Sequence, residues 1–115
     1  DGYIRITGRA KDIIIRGGEN IPVVEIEGIL YRHEAITQVA IVAMHDERLG
    51  EKACAYVQIK PGNSLTLKDV SVFLEAANVA KVYHPERLEL IMEMPMTATG
   101  KVQKYELRNW AKSLI

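Results

Sequence analysis

The sequence is poor in cysteine and in large aromatic residues: its 115 residues include one cysteine, one tryptophan and one phenylalanine. A single cysteine excludes an internal disulfide and is typical of a reducing compartment, so we expect a cytoplasmic location. That cysteine, Cys54, lies between two alanines in an apolar segment. This setting favours a buried, unreactive thiol over a catalytic nucleophile.

The chain also lacks net charge and long apolar runs. Lysine plus arginine and aspartate plus glutamate number 15 each, so no global basic field favours nucleic acid or an anionic membrane as a partner. No apolar run approaches the roughly 20 residues of a membrane span, and the opening DGYIRITGRAKD does not resemble a signal peptide. The chain begins without methionine in a strand-like segment, so we expect it to be a fragment of a longer protein.

Metal and acid/base sites are disfavoured by spacing. His33, His45 and His84 are far apart and lack cysteine or histidine partners at zinc-ligand spacing, so we expect surface or loop positions and no metal site. Glu25 and Glu27 lie two residues apart on a predicted helix and point in different directions. A solvated helix flank is therefore favoured over a paired-carboxylate site.

Hydrophobic periodicity predicts one folded domain spanning residues 1–115, and 48% of its residues are hydrophobic. Its class is α+β: a small domain with a roughly three-stranded sheet flanked by helices and an N-terminal β-hairpin. The expected elements are a hairpin of residues 3–6 and 12–16, a helix capped by Asn20 or Ile21 with Pro22 in its first turn and ending near His33, strands at 37–44, 53–59 and 88–92, and two further helices.

The two later helices carry clear amphipathic patterns. Thr66 followed by Asp69 resembles a capping box that opens the second helix. Its expected core positions are Val70, Phe73, Leu74 and Ala77, and those of the last helix are Leu107, Trp110, Ala111 and Leu114. The basic residues Lys104, Arg108 and Lys112, spaced four apart on the last helix, are expected to form a solvated face. In the strand at 88–92, alternation predicts Leu88, Leu90 and Met92 on one face.

A glycine and lysine pair occurs in the segment PMTATGKVQK, residues 95–104. Gly100 and Lys101 match the end of the phosphate-binding loop G-x-x-x-x-G-K-[ST], but Pro95 replaces its first glycine and Val102 its hydroxyl residue, so that loop is rejected. Two interpretations remain from the residues alone. Gly100 bends the chain to deliver the Lys101 ammonium to a ligand, or Lys101 is a solvated surface cation.

Two segments together carry a family resemblance. GRAKDIIIRGGENI (8–21), with the helix that follows, and PMTATGKVQKYELR (95–108) resemble the C-terminal domain of the adenylate-forming superfamily, which includes acyl-CoA synthetases, luciferases and the adenylation domains of peptide synthetases. The likeness covers essentially the whole chain. It rests on two motifs, G-R-x-[KD]-[DE] before a glycine turn and P-x-T-x-x-G-K near the C-terminus.

The resemblance implies a ligase that converts a carboxylate, ATP and CoA to acyl-CoA, AMP and pyrophosphate, with Mg²⁺ required in the intact enzyme. It also implies that the partner of this chain is its own N-terminal domain, which would hold the phosphate loop, the magnesium site and the acyl pocket. The chain by itself is then expected to be inactive. By position, the resemblance assigns adenylation to Lys101, a hinge to Lys11, a nucleotide contact to Arg9, and the CoA-tunnel loop to Gly17, Gly18, Glu19 and Asn20.

Two positions depart from the family pattern. Met96 stands where many members have arginine or lysine, and Asn20 stands where some have an arginine near the phosphate. The segment RGGENI favours an acyl-CoA synthetase, as in fatty acid metabolism. The alternatives are an adenylation domain of the peptide-synthetase type and a free-standing, non-catalytic interaction module with the same fold.

Overall fold

The computed structural model describes residues 14–16, 19–46 and 50–113. These residues form an α+β domain, as predicted. In chain order the elements are strands β1 (Ile14–Arg16) and β2 (Glu19–Ile21), helix α1 (Val23–Leu30), strands β3 (Ile36–Asp46) and β4 (Gly50–Ile59), helix α2 (Leu67–Ala76), a 3₁₀ turn (Lys81–Tyr83), strand β5 (Arg87–Leu90) and helix α3 (Lys104–Lys112).

The long antiparallel pair β3 and β4 is the centre of the sheet. The pairing extends from Ile36 opposite Ile59 to Asp46 opposite Gly50. The other edge of β4 is shared: β5 pairs in parallel with residues 54–57, and β1 pairs with Gly50. Within the described part of the chain β3 has no second strand partner, so its outer edge is the edge of the sheet.

Both faces of this sheet are covered by helices, because alternate residues of β4 are buried on opposite sides. Ala53, Ala55 and Val57 pack in one apolar cluster with the buried side chains of α1 and α2. Cys54 and Tyr56 pack in a second cluster with the buried side chains of α3. Among the described residues the domain therefore has three layers, with α1 and α2 on one side of the sheet and α3 on the other.

The N-terminal segment differs from the predicted arrangement. Residues 3–6, the first arm of the expected hairpin, lie outside the described residues; the hairpin that the structure describes pairs β1 with β2, Ile14 opposite Ile21. The prediction that Asn20 or Ile21 caps α1 is wrong, because both belong to β2 and Pro22 is the N-cap. Burial explains the difference: Ile21 is only 3% exposed and packs in the core, so strand pairing prevails over helix capping.

Strand β5 is shorter than predicted. It ends at Leu90, which is exposed, and Met92 is 95% exposed in the turn that follows, so the expected inward alternation through Met92 is wrong. The reason is that β5 is a short parallel neighbour of β4 only at residues 54–57. Beyond that pairing the chain turns, and Met94 becomes the buried side chain instead.

The expected core faces of the later helices are mostly confirmed. Val70 and Leu74 of α2 are buried and Phe73 packs at the edge of the core, whereas Ala77 is the exposed C-cap. In α3, Leu107 and Ala111 are buried. Trp110 is 41% exposed and stacks edge-on against Tyr56 with ring centroids 5.9 Å apart. Across the described residues, no helix is both long enough and apolar enough to cross a bilayer.

The capping box of α2 gives a direct test of the helix assignment. The Thr66 hydroxyl accepts a hydrogen bond from Asp69 N at 3.1 Å, and Asp69 Oδ2 accepts one from Thr66 N at 2.9 Å. We expect Thr66→Ala to lower the free energy of unfolding by about 1 kcal/mol, measured by urea denaturation. Ser64→Ala, at an exposed residue before the box, is the control. Equal effects of the two substitutions would contradict a role for the cap.

Candidate functional site

Lys101 lies at the end of a tightly bonded loop of residues 95–103, here called the lysine loop. Thr97 N donates to the Lys101 carbonyl at 2.7 Å, and Lys101 N donates to Thr97 Oγ1 at 3.1 Å. The Thr97 and Thr99 hydroxyl oxygens are 2.9 Å apart. Met96 and Val102 form an antiparallel bridge, and Gln103 N donates to the Pro95 carbonyl at 2.8 Å, which closes the base of the loop.

Gly100 supplies the backbone conformation that brings Lys101 back to Thr97. Its φ is +87°, in the left-handed region where an L side chain is strained, and Gly100 N donates to the Thr97 carbonyl at 3.0 Å. A Cβ at this position would meet nothing within 4 Å. The requirement for glycine is therefore one of backbone torsion and not of space.

The Lys101 side chain is exposed, and within the described residues its ammonium has no ion-pair partner. Its backbone is fixed while its charge is free to meet a ligand. This combination is typical of a positioned functional group on a supported scaffold.

The two ends of the lysine loop are attached to the rest of the domain. Before the loop, Met94 is buried and its N donates to Gln58 Oε1 of β4 at 2.8 Å. After the loop, Lys104 Nζ lies 2.8 Å from Glu27 Oε2 of α1, with side chains only 18% and 14% exposed. The predictions that Glu27 and Lys104 belong to solvated helix flanks are therefore wrong.

Glu27 has a second contact that explains why its carboxylate is held inside. The same Oε2 accepts a hydrogen bond from Ile41 N at 2.7 Å. Ile41 lies on β3, whose outer edge has no strand partner among the described residues, and a backbone N–H in such a position needs another acceptor. The Glu27 carboxylate satisfies this N–H and the Lys104 ammonium together.

The structure describes two of the other predicted site residues, Glu19 and Asn20. Glu19 and Asn20 lie in β2, paired with Arg16 and Ile15, and Asn20 is exposed. Gly17 and Gly18, together with Arg9 and Lys11, lie outside the described residues. The structure thus places the second half of the predicted CoA-tunnel segment in a paired strand.

The hairpin and the lysine loop attach at different ends of β4. β1 joins β4 at Gly50, whereas Met94 bonds to Gln58, eight residues further along. At a rise of roughly 3.3 Å per residue, these two attachment points are about 26 Å apart. Among the described residues, the two segments are therefore anchored at separate ends of β4.

Comparisons with known proteins identify the family. The family model described as "AMP-binding enzyme C-terminal domain" matches residues 25–101, which is more than half of the chain. The chain belongs to this family. It is a C-terminal domain of the adenylate-forming type, as the sequence motifs predicted.

The relatives of this adenylate-forming domain are much longer proteins. It is 53% identical over 108 residues to the medium-chain fatty-acid–CoA ligase of Escherichia coli K12, covering 93% of this chain and 19% of that protein. It is 45% identical over 113 residues to enterobactin synthase component E of the same strain, covering 98% and 21%. The chain thus spans about a fifth of the length of these relatives.

A solved structure shares the fold. The ATP-bound MatB of Rhodopseudomonas palustris superposes with a TM-score of 0.83 at 27% identity, covering 91% of this chain and 21% of that one. The likeness extends over nearly all of the domain, so the three-layer arrangement described above is that of the adenylate-forming C-terminal domain.

Two further candidate side chains, Cys54 and His84, are buried in the domain. The prediction that Cys54 is buried is confirmed, and this burial raises the pKa of its thiol to about 11, which favours the protonated form at neutral pH. His84 lies in the bend after the 3₁₀ turn, so the expectation of a surface or loop position holds for the loop, although the side chain is buried and its Nε2 lies 3.0 Å from the Val79 carbonyl. No group of three or more potential metal ligands occurs in the described part of the chain.

Sequence reasoning missed the pairing of Glu27 with Lys104, although the sequence contains a signal for it. Glu27 falls on the same helical stripe as the buried Val23, Ile26 and Leu30 of α1. Lys104 precedes the buried Leu107 of α3 by three residues. A charged side chain on the buried face of a helix needs a partner. Opposite charges on the buried faces of two helices therefore favour an ion pair between them over exposure of both to solvent.

We expect Glu27→Ala to lower the free energy of unfolding by about 2 kcal/mol or more, because it leaves the Ile41 N–H and the Lys104 ammonium without this acceptor. Urea denaturation of the chain measures the change. Glu25→Ala, at an exposed position on the same helix, is the matched control and should change stability by no more than about 0.5 kcal/mol. Similar small effects of both would show that Glu27 is solvated after all.

Proposed function

We propose that this chain is the mobile C-terminal domain of an AMP-forming acyl-CoA synthetase, and that Lys101 acts in the adenylation step. The proposal rests on the lysine loop. There the carbonyl and the N–H of Lys101 are both hydrogen-bonded to Thr97, while the Lys101 side chain is exposed. Membership in the adenylate-forming family and the 53% identity to a fatty-acid–CoA ligase supply the chemical context.

The proposed first step joins a carboxylic acid to AMP. A carboxylate oxygen attacks the α-phosphorus of ATP, and the bond from that phosphorus to the bridging oxygen breaks, so that pyrophosphate leaves with the electron pair. Negative charge is spread over phosphate and carboxylate oxygens in the transition state. A cation already positioned at those oxygens stabilises this charge more than a freely moving one, because little reorganisation is needed at the moment of reaction.

The proposed second step forms the thioester. The CoA thiol loses its proton, its sulfur attacks the acyl carbonyl carbon, and AMP leaves. We assign residues 17–20, Gly17, Gly18, Glu19 and Asn20, to the path of the CoA arm, because the two glycines lack side chains and leave room for a narrow thiol. The hairpin that contains them joins β4 at Gly50, far from the Gln58 attachment of the lysine loop.

Separated loops favour a domain that rotates between the two steps. One loop would face the reactants during adenylation and the other during thioester formation, with the hinge at Lys11 and a nucleotide contact from Arg9. The partner surface is an N-terminal domain of the same protein, in keeping with the length of the relatives. That domain would bind the acid, ATP and Mg²⁺, and the single cysteine of this chain favours a cytoplasmic location.

A second candidate differs only in the acceptor, with a carrier-protein thiol in place of free CoA. The chain is 45% identical to enterobactin synthase component E, whose name does not describe a CoA ligase, so the acceptor is open to test. The intact protein distinguishes the two: thioester formation with free CoA at a rate matching adenylation supports the synthetase. Adenylation without transfer to CoA would favour a carrier protein.

The central test is Lys101→Ala in the full-length enzyme. Acid-dependent pyrophosphate formation should fall by roughly 100-fold or more, the scale expected when one preorganised electrostatic group is removed. Conversion of chemically supplied acyl-adenylate to thioester should stay near the normal rate, because the proposed rotation has moved Lys101 away.

The matched control is Lys68→Ala, an exposed lysine at the start of α2 that should leave both steps unchanged. If Lys101→Ala were as silent as Lys68→Ala in the adenylation assay, Lys101 would be a surface cation and the assignment would be withdrawn.

A further test concerns the hinge. Proline fixes its own φ torsion, so Lys11→Pro in the full-length enzyme should restrict the proposed rotation and impair one half-reaction far more than the other. Pyrophosphate formation and thioester formation from supplied acyl-adenylate are measured separately. Equal losses in both steps would argue against a hinge at this residue.

A further inference from the structure

We propose that Lys104 is a positioning residue for adenylation: its ion pair with Glu27 holds the lysine loop so that Lys101 meets the reacting oxygens. The inference rests on the proposed role of Lys101. It assigns a function to a residue that does not itself contact the substrates.

The ion pair joins elements on opposite faces of the sheet. Glu27 extends from α1 on one face and Lys104 from α3 on the other, and the two meet at the outer edge of β3. Glu27 Oε2 is held in place by the Ile41 N–H at 2.7 Å, so the carboxylate is a fixed target for the ammonium. Charge-assisted hydrogen bonds of this kind are short and directional.

Lys104 is directly connected to the lysine loop. The residue before it, Gln103, closes the base of the loop through its 2.8 Å bond to the Pro95 carbonyl. Two residues further into the loop from each end, Thr97 is bonded to Lys101. A displacement of the first turn of α3 is therefore transmitted through this short ladder to the Lys101 backbone.

The ion pair is the charged contact that holds the start of α3, beside the packing of Val102 against the second apolar cluster. The N-cap Gln103 forms no side-chain capping bond. The buried Leu107 and Ala111 hold the later turns of the helix against the sheet. Without the ion pair, the helix would stay packed through these residues while its first turn and the adjoining loop gained freedom.

Adenylation is sensitive to such freedom, since a displacement of about 1 Å far from the chemistry can cost up to roughly 100-fold in rate. Thioester formation should be insensitive, because Lys101 has left the reaction centre by then. If Lys104 only stabilised the fold, its replacement would lower the rates of both steps. A lower rate of adenylation alone therefore indicates positioning.

The test is a double-mutant cycle in the full-length enzyme with Lys104→Met, Lys101→Ala and the double variant. Lys104→Met keeps an apolar stem but removes the ammonium. We expect it to lower kcat for pyrophosphate formation by about 10-fold and to leave thioester formation from supplied acyl-adenylate unchanged. In the Lys101→Ala background it should cause no further loss, because it acts through Lys101.

Two further variants separate positioning from folding. Glu27→Gln keeps an oxygen for the Ile41 N–H but removes the negative charge, so it should reproduce the adenylation defect even if Lys104→Met folds poorly. Lys104→Arg can still pair with the carboxylate and should restore most of the lost rate. Thermal unfolding of each variant verifies that the assayed protein is folded.

Each outcome bears on the proposal. Positioning through Lys101 would be overturned if the double variant lost adenylation rate by the product of the two single effects. It would also be overturned if Lys104→Met lowered the rates of both half-reactions equally. Normal adenylation by both Lys104→Met and Glu27→Gln, together with a defective Lys101→Ala enzyme, would overturn this inference and leave the proposed function intact. A silent Lys101→Ala variant would overturn both.

Discussion

The arrangement of the domain depends on one carboxylate at the open edge of its sheet. β3 is bonded to β4 on one side, and its Ile41 N–H on the other side requires an acceptor. Glu27 provides it, and the same oxygen meets the Lys104 ammonium. One group therefore satisfies a sheet-edge amide, neutralises a largely buried cation and connects the helical layers on both faces. This is also why removal of either charge has consequences beyond a surface ion pair.

This connection divides the domain into a supported scaffold and exposed functional groups. The long β3–β4 pair and its two apolar clusters form the scaffold, to which the lysine loop is attached at Met94 and Lys104. Lys101 itself contributes almost nothing to the core, because its side chain is exposed. The exposed charge and the contacts that hold the loop thus belong to different residues of one short segment.

The sequence predicted those features that depend on local chemistry. The Thr66 capping box, the helix face of Val70 and Leu74, and the buried thiol of Cys54 follow from residue spacing and neighbours alone. Pro22 as N-cap could not be predicted in this way, because long-range pairing of β2 with β1 decided where α1 begins. The Glu27–Lys104 pair was missed for another reason: charged side chains were assumed to be solvated, although each lies on the inward stripe of its helix.

The bonding of the lysine loop also explains why its motif resembles a phosphate-binding loop without acting as one. In a phosphate-binding loop the backbone N–H groups face the phosphate. Here the N–H groups of Thr97, Gly100 and Lys101 are all bonded within the loop. These three N–H groups are therefore committed to the loop itself, and the cation that the loop presents to solvent is the Lys101 side chain. Gly100 and Thr97 therefore fix the backbone from which the Lys101 side chain extends into solvent.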